Sequence, residues 1–116
     1  MKRQLAEQRG RKAEDEAARW LEGQGWDIVA RRRKTKVGEI DLVARREGLI
    51  AFIEVKWRQR AADLDLAIDE YRLSRVAAAA ESVAHEYAGQ GEDLRIDVIL
   101  LAPGSQPRHI ENAWMP

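Results

Sequence analysis

The strongest constraint on the fold is a nine-residue segment, residues 49–57, that is apolar except for two charged side chains. Its sequence is Leu-Ile-Ala-Phe-Ile-Glu-Val-Lys-Trp, and it follows directly on Gly48. A continuous apolar run of this length after a turn-forming residue is typical of a strand buried on both faces. We therefore predict a central strand of a sheet. Glu54 and Lys56 should lie on one face of it, because side chains two residues apart point the same way.

The flanking sequence predicts two helices and four further strands, the last of them short. In two segments apolar residues recur at three- and four-residue intervals and the segment ends in glycines, which is typical of amphipathic helices. The predicted elements in chain order are a helix over residues 5–22, strands over 26–30, 39–44 and 49–57, a helix over 64–87, a strand over 94–101 and an edge strand over 109–114. This α-β-β-β-α-β order predicts a single α/β domain over residues 1–116, with a mixed central sheet flanked by helices.

The absence of cysteine limits the chemistry available to the chain. A thiolate metal site, a cysteine nucleophile and a disulfide are excluded, so a metal would be held by carboxylates and the two histidines. No apolar stretch reaches the length of a signal peptide or a membrane span. We therefore expect a cytoplasmic protein without a membrane partner.

The charge is unevenly distributed along the chain, although 20 Lys and Arg balance 20 Asp and Glu. Residues 1–60 carry 16 basic and 10 acidic side chains, a net +6, and residues 61–116 carry 4 and 10, a net −6. Five cations fall within residues 31–36, here called the basic run, which we predict to form a turn before Gly38. It is either a solvated loop or an element that contacts phosphate. The candidate nucleic-acid-binding residues are Arg31, Arg32, Arg33, Lys34, Lys36 and, after the central strand, Arg58.

The predicted strand over residues 39–44 carries an acid that can meet Glu54. Alternation places Asp41 on one face with Glu39 and Val43, and residues 40, 42 and 44 on the other. A tight hairpin over residues 45–48 would then bring Asp41 beside Glu54 on the neighbouring strand. Burying such charges is costly unless a cation or close pairing compensates.

A third carboxylate, Glu14, lies at the edge of the apolar stripe of the first helix and can face the same place. Converging carboxylates suit Mg²⁺ or Mn²⁺, which prefer oxygen ligands. We predict Asp41, Glu54 and Glu14 as metal ligands, with Glu39 a weaker candidate. Lys56 would stabilise charge developing on phosphoryl oxygens or orient the attacking water. Asp41, Glu54 and Lys56 are thus the predicted catalytic residues of phosphodiester hydrolysis.

Two blocks carry a family resemblance, Gly-Glu-Ile-Asp-Leu-Val-Ala at residues 38–44 and Phe-Ile-Glu-Val-Lys-Trp-Arg at residues 52–58. With residues 10–21 and 95–98, they resemble the YraN-like family of small bacterial proteins. That family is similar to the PD-(D/E)xK restriction-endonuclease-like superfamily and, distantly, to archaeal Holliday-junction resolvases. The resemblance implies a restriction-endonuclease-like domain with Asp41, Glu54 and Lys56 as the nuclease triad and Glu14 as the helix-borne acid. Where the family's second long helix opens with a Lys, this chain has Tyr71-Arg72.

Three functions remain open on the sequence. The leading interpretation is a metal-dependent nuclease acting on DNA, including branched or structured DNA by the resolvase likeness. The alternatives are a nucleic-acid-binding domain of the same fold that does not cleave, and a structural or protein-interaction domain with a buried ion network. A homodimer would suit two symmetric cuts, although nothing in the sequence identifies an interface.

Several conspicuous residues are interpreted as structural. Arg95 and Asp97 share a face of their strand and are predicted to pair with each other. Trp20 and Trp26 occupy core-like positions. A lone histidine is more often structural or solvated than catalytic, so no catalytic role is predicted for His109 or for the other histidine.

Overall fold

The computed structural model describes residues 2–89 and 91–114, with side chains described from residue 8 onward. The helices are α1 (Lys2–Gly23), a 3-10 helix (Ala61–Ala67) and α2 (Glu70–Tyr87). The strands are β1 (Asp27–Lys34), β2 (Glu39–Arg46), β3 (Leu49–Trp57), β4 (Asp93–Leu101) and β5 (Arg108–Ile110). The predicted order of helices and strands and the mixed α/β class are confirmed.

One five-stranded sheet, with the strands in chain order, organises the molecule. The pairs β1–β2, β2–β3 and β4–β5 are antiparallel, whereas β3 and β4 run parallel. A parallel pair needs a long crossover connection, and the segment containing α2 supplies it. The central position predicted for residues 49–57 is confirmed, since β3 is the third of five strands.

The core consists of two layers, one on each face of the sheet. On one face α1 packs through small residues, Ala13, Ala17 and Ala18, against alternate residues of the sheet such as Ile53. On the other face α2 packs in the same way, and Ala79 is fully buried there. Small side chains let each helix approach the sheet closely.

A two-residue turn joins β2 to β3 and sets the register between them. Glu47 and Gly48 have φ angles of 45° and 77°. Positive φ at both central positions matches a type I′ turn, whose twist suits that of antiparallel strands. The predicted four-residue turn is therefore shorter than expected, and β2 extends through Arg46.

The prediction that the basic run forms a turn was wrong. Its first four residues belong to β1, where Arg31 pairs with Leu42 and Arg33 pairs with Ile40 of β2. Extended backbone satisfies the hydrogen-bonding groups of this segment through β2, while charged side chains are well suited to the edge strand of a sheet. The turn itself starts at Thr35, whose hydroxyl accepts hydrogen bonds from the backbone N–H groups of Val37 and Gly38.

The helix predicted over residues 64–87 is also interrupted. Asp69 adopts an extended conformation, with φ of −129°, and its carboxylate accepts hydrogen bonds from the N–H groups of Tyr71 and Arg72. These bonds cap the first turn of α2, because the first N–H groups of a helix have no partner within it. The preceding apolar residues form the separate 3-10 helix.

Within the described residues, neither α1 nor α2 is both long and apolar enough to cross a membrane.

Candidate functional site

The candidate site lies where β2 and β3 stop pairing. The two strands are in register from Arg46 opposite Leu49 to Leu42 opposite Ile53. Beyond that point the Asp41 carboxylate replaces a backbone partner, since its Oδ2 accepts a hydrogen bond of 2.8 Å from the N–H of Val55. Asp41 is therefore fixed against the strand that carries the other predicted catalytic residues.

The predicted alternation along β2 was wrong in one respect. Ile40 and Val43 pack in the core layer of α2, whereas Leu42 and Ala44 pack in the layer of α1. Residues three apart share a face only if the alternation breaks once between them. The break lies between Ile40 and Leu42, which the sequence predicted to share a face, and it coincides with the parting of the two strands.

Glu54 is a buried carboxylate held by two cations. Only 3% of the residue is exposed. Its Oε1 accepts a hydrogen bond of 2.9 Å from Arg72 Nε and lies 3.3 Å from Lys56 Nζ. A buried carboxylate needs such partners, because its charge loses hydration. The predicted shared face of Glu54 and Lys56 is confirmed by their contact.

Arg72 is a site residue that sequence reasoning did not assign. It stands in the first turn of α2, whose start is set by the Asp69 cap rather than by the apolar pattern. From there its guanidinium contacts the same oxygen of Glu54, Oε1, that Lys56 contacts. Two features of the sequence could have indicated Arg72. It closely follows Asp69, a residue suited to capping a helix, and Tyr71-Arg72 stands where the second long helix of the YraN-like family opens with a Lys.

Three carboxylates converge next to this pair, although not the three that were predicted. Glu14, Glu39 and Asp41, here called the carboxylate cluster, each offer an oxygen within 4.8 Å of the others. Glu39, the weaker candidate ligand, belongs to the cluster, and Glu54 does not. An all-oxygen donor set partly open to solvent fits a hard divalent cation such as Mg²⁺ or Mn²⁺.

Burial and the neighbouring carboxylates change the pKa of Asp41. Burial, together with the charges of Glu14 and Glu54, raises the pKa of Asp41 from 3.8 to about 7. The Val55 N–H bond and the charge of Arg72 act in the opposite direction and limit this rise. Carboxyl groups with a pKa of about 7 are common at functional sites. At such a site a bound cation or a proton can compensate the negative charge of the carboxylate.

A cleft of about 400 Å³ opens over these residues. Its charged lining residues are Arg9, Glu14, Asp41, Glu54, Lys56, Arg58 and Arg72. A second cleft of about 580 Å³ adjoins it on the other side of Glu14 and includes Glu39, Arg11, Arg32 and Lys34. The two clefts thus combine carboxylates with a surrounding set of cationic side chains.

Three of the six predicted nucleic-acid-binding residues line the clefts, Arg58 the first and Arg32 and Lys34 the second, and the other three, Arg31, Arg33 and Lys36, line neither. Each arginine of the basic run pairs with a carboxylate, Arg31 with Asp15 at 2.9 Å, Arg32 with Glu14 at 2.6 Å and Arg33 with Glu86 at 2.7 Å. Lys34 and Lys36 are exposed and form no hydrogen bond or ion pair within the described chain. Arg58 lines the first cleft and donates a hydrogen bond to the carbonyl of Trp57.

Fold and site together define a mixed α/β protein with an acidic, cation-rimmed cleft at the end of its central strands. The chain belongs to Uncharacterised protein family UPF0102, whose model matches residues 13–101. It is 69% identical to a UPF0102 protein of Erythrobacter litoralis (strain HTCC2594) over the full length of both chains. It is 61% identical to a UPF0102 protein of Sphingopyxis alaskensis (strain DSM 13593 / LMG 18877 / RB2256), again over both full lengths. The resemblance to the YraN-like family is thereby confirmed.

Proposed function

We propose that this chain is a cytoplasmic, divalent-metal-dependent nuclease that hydrolyses phosphodiester bonds in DNA, including branched or otherwise structured DNA. The observation that carries the proposal is the meeting of Asp41, Glu54 and Lys56 in one cleft that also contains Glu14. An acid on one strand followed by an acid-x-Lys triplet on the next is the pattern of the PD-(D/E)xK nucleases that the sequence resembles. The surrounding cations would attract the phosphates of a nucleic acid.

Some residues of the site would hold a cation, and others would contact phosphate. Glu14, Glu39 and Asp41 would hold Mg²⁺ or Mn²⁺, which would lower the pKa of a bound water and polarise the phosphodiester. Lys56 lines the cleft, where its ammonium, paired with Glu54, would stabilise developing phosphoryl charge. Glu54 orients Lys56 and Arg72 through its ion pairs.

A second candidate function is a DNA-binding domain that does not cleave. The position of Glu54 favours it, because this carboxylate lies outside the carboxylate cluster and is already bonded to two cations. Such a domain would bind DNA in a salt-dependent manner through the cationic rim. It would show no cleavage with any divalent cation.

Cleavage of plasmid, single-stranded and junction DNA with Mg²⁺ or Mn²⁺ tests the nuclease. We expect cleavage by the wild type and a loss of about 10²–10³-fold in Lys56→Ala, since one electrostatic donor to a transition state typically supplies that much. Lys12→Ala is the matched control, because Lys12 is an exposed lysine of α1. Equal cleavage by wild type and Lys56→Ala would contradict the proposed role, and salt-dependent binding without cleavage would favour the second candidate.

Metal binding is expected to depend on pH through Asp41. A protonated carboxyl group does not ligate a cation, so Mn²⁺ affinity should rise about tenfold between pH 6 and pH 8 for a pKa of about 7. Isothermal titration calorimetry measures this directly. The dependence should be lost in Asp41→Asn and kept in His85→Gln, which replaces an exposed histidine of α2. A flat profile in the wild type would show that Asp41 is not a ligand.

A further inference from the structure

Arg32 has a backbone conformation that arginine seldom adopts. It lies inside β1, yet its φ angle is 49°, in the left-handed region that glycine and asparagine tolerate best. In a regular strand residues 31 and 33 share a face and residue 32 points the other way. Here Arg31 and Arg32 both contact α1, while Arg33 contacts α2. The unusual φ therefore accompanies a side chain aimed at α1.

The side chain of Arg32 makes a direct contact with the carboxylate cluster. Its Nε donates a hydrogen bond of 2.6 Å to Glu14 Oε1, and the two side chains are 33% and 13% exposed. Among the described residues no other cation forms an ion pair with Glu14, Glu39 or Asp41. Within the described part of the chain, Arg32 thus supplies the one positive charge paired with a member of the carboxylate cluster, through its bond to Glu14.

We propose that Arg32 is an exchangeable counter-cation of the carboxylate cluster, which a divalent cation displaces from Glu14 and which then binds a DNA phosphate. This inference rests on the proposed nuclease function and adds to it a coupling between metal and DNA. A cation ligated by Glu14 removes the charge that holds the guanidinium. The released group lies in the second cleft beside Arg11 and Lys34, where phosphate would meet three cations.

An arginine side chain suits both proposed contacts of Arg32, the one with Glu14 and the one with a DNA phosphate. Its planar guanidinium carries five N–H donors and binds a carboxylate or a phosphate with equal ease. Only Nε is engaged by Glu14, so the terminal nitrogens are free to approach a phosphate before the first bond is lost. Because binding free energies are reciprocal, a metal that strengthens DNA binding must itself bind more tightly in the presence of DNA.

The first test measures Mn²⁺ binding by calorimetry in the absence of DNA. Arg32→Asn removes the competing cation and keeps a residue that tolerates the positive φ; we expect its Mn²⁺ affinity to be about 5- to 20-fold higher than that of the wild type. Arg31→Asn is the matched control, since it removes the same charge from the neighbouring pair with Asp15. Arg32→Gly, which adopts the same φ without strain, repeats the test should the Asn variant fold poorly.

The second test measures DNA affinity by fluorescence anisotropy in a Lys56→Ala background, with and without Mn²⁺. We expect Mn²⁺ to raise the affinity at least about fivefold, and this gain to disappear when Arg32→Asn is added but not when Arg31→Asn is added. An unchanged Mn²⁺ affinity in Arg32→Asn, or an equal effect of Arg31→Asn, would overturn the inference and leave the nuclease proposal intact. Absence of Mn²⁺ binding to the wild type and to every variant would overturn both.

Discussion

Replacing Asp41 with Asn is expected to abolish DNA cleavage and, in the absence of metal, to raise the free energy of unfolding at pH 8. Cleavage should fall by about 10²–10³-fold or more, because a neutral amide is a poor ligand for Mg²⁺ and cannot complete the carboxylate cluster. Stability should rise by about 1–3 kcal/mol, because the change removes a buried negative charge beside Glu14 and Glu54. The amide oxygen can still accept the Val55 N–H bond.

The sign of the stability effect follows from the pKa of Asp41. Its value in the folded protein, about 7, exceeds the ordinary value of 3.8, so the folded state retains a proton that the unfolded state has lost. Wild-type stability therefore decreases as pH rises from about 4 to about 7. Below pH 4 the carboxyl group is protonated in both states, and Asp41→Asn should then have little effect.

Urea denaturation at pH 4 and pH 8 measures the effect, and saturating Mg²⁺ provides a further comparison. Mg²⁺ should stabilise the wild type and not Asp41→Asn, since only a ligand that binds the folded state shifts unfolding. Asp27→Asn is the control, because Asp27 is an exposed residue of β1. A loss of stability in Asp41→Asn at pH 8 would contradict the crowding of carboxylates, whatever the outcome of the cleavage assay.

Replacing Asp97 with Ala is expected to lower the free energy of unfolding by about 3–5 kcal/mol, because the change breaks a buried group of ion pairs. The Asp97 side chain is fully buried. It accepts two hydrogen bonds from Arg95, at 2.8 and 2.9 Å, and one from the backbone N–H of Asn112. His109 Nε2 lies 2.7 Å from the same carboxylate. Removing it takes a buried acceptor away from Arg95, His109 and the N–H of Asn112.

The pKa of Asp97 agrees with this role. Burial would raise it, but the hydrogen bonds from His109, Arg95 and Asn112 together lower it below 3.8. The carboxylate therefore contributes stability that is present above about pH 4 and is lost as pH falls through the lowered pKa. The predicted Arg95–Asp97 pair is confirmed, and its partners join β4 to β5 and the residues that follow.

Asp65→Ala is the matched control for Asp97→Ala. Asp65 also pairs with an arginine, Arg108, at 2.9 Å, but the two side chains are 76% and 51% exposed. An exposed pair of this kind contributes less than about 1 kcal/mol. Urea denaturation of the two variants should therefore differ severalfold, and DNA binding by Asp65→Ala should be unchanged. Equal losses would contradict the assignment of Asp97 as the main polar anchor of the C-terminal strands.

Much of the fold follows from local patterns. The apolar run of residues 49–57 predicted a central strand, and the alternation of side chains predicted that Glu54 and Lys56 would meet. Trp20 and Trp26 belong to the core layer of α1, as their spacing indicated. These predictions succeed because burial on a strand or helix depends on residues only two to four positions apart.

The predictions that failed depend on contacts between distant segments or on one local cap. The first four residues of the basic run form a strand because β2 supplies hydrogen bonds to their backbone. No property of residues 31–36 alone requires this pairing. The break before α2 depends on the Asp69 carboxylate capping two N–H groups, a signal weaker than the apolar spacing that spans it. The alternation of β2 breaks between Ile40 and Leu42, at the point where its pairing with β3 ends.

The amino-acid sequence alone therefore determined the elements, their order and the presence of acids and a lysine on neighbouring strands. Only the tertiary structure decided which of those charges meet. Glu39 rather than Glu54 joins Glu14 and Asp41, while Glu54 is bonded to Lys56 and Arg72. The physical reason is that electrostatic partners are chosen by distances of a few ångströms, and residues up to tens of positions apart come that close only through packing.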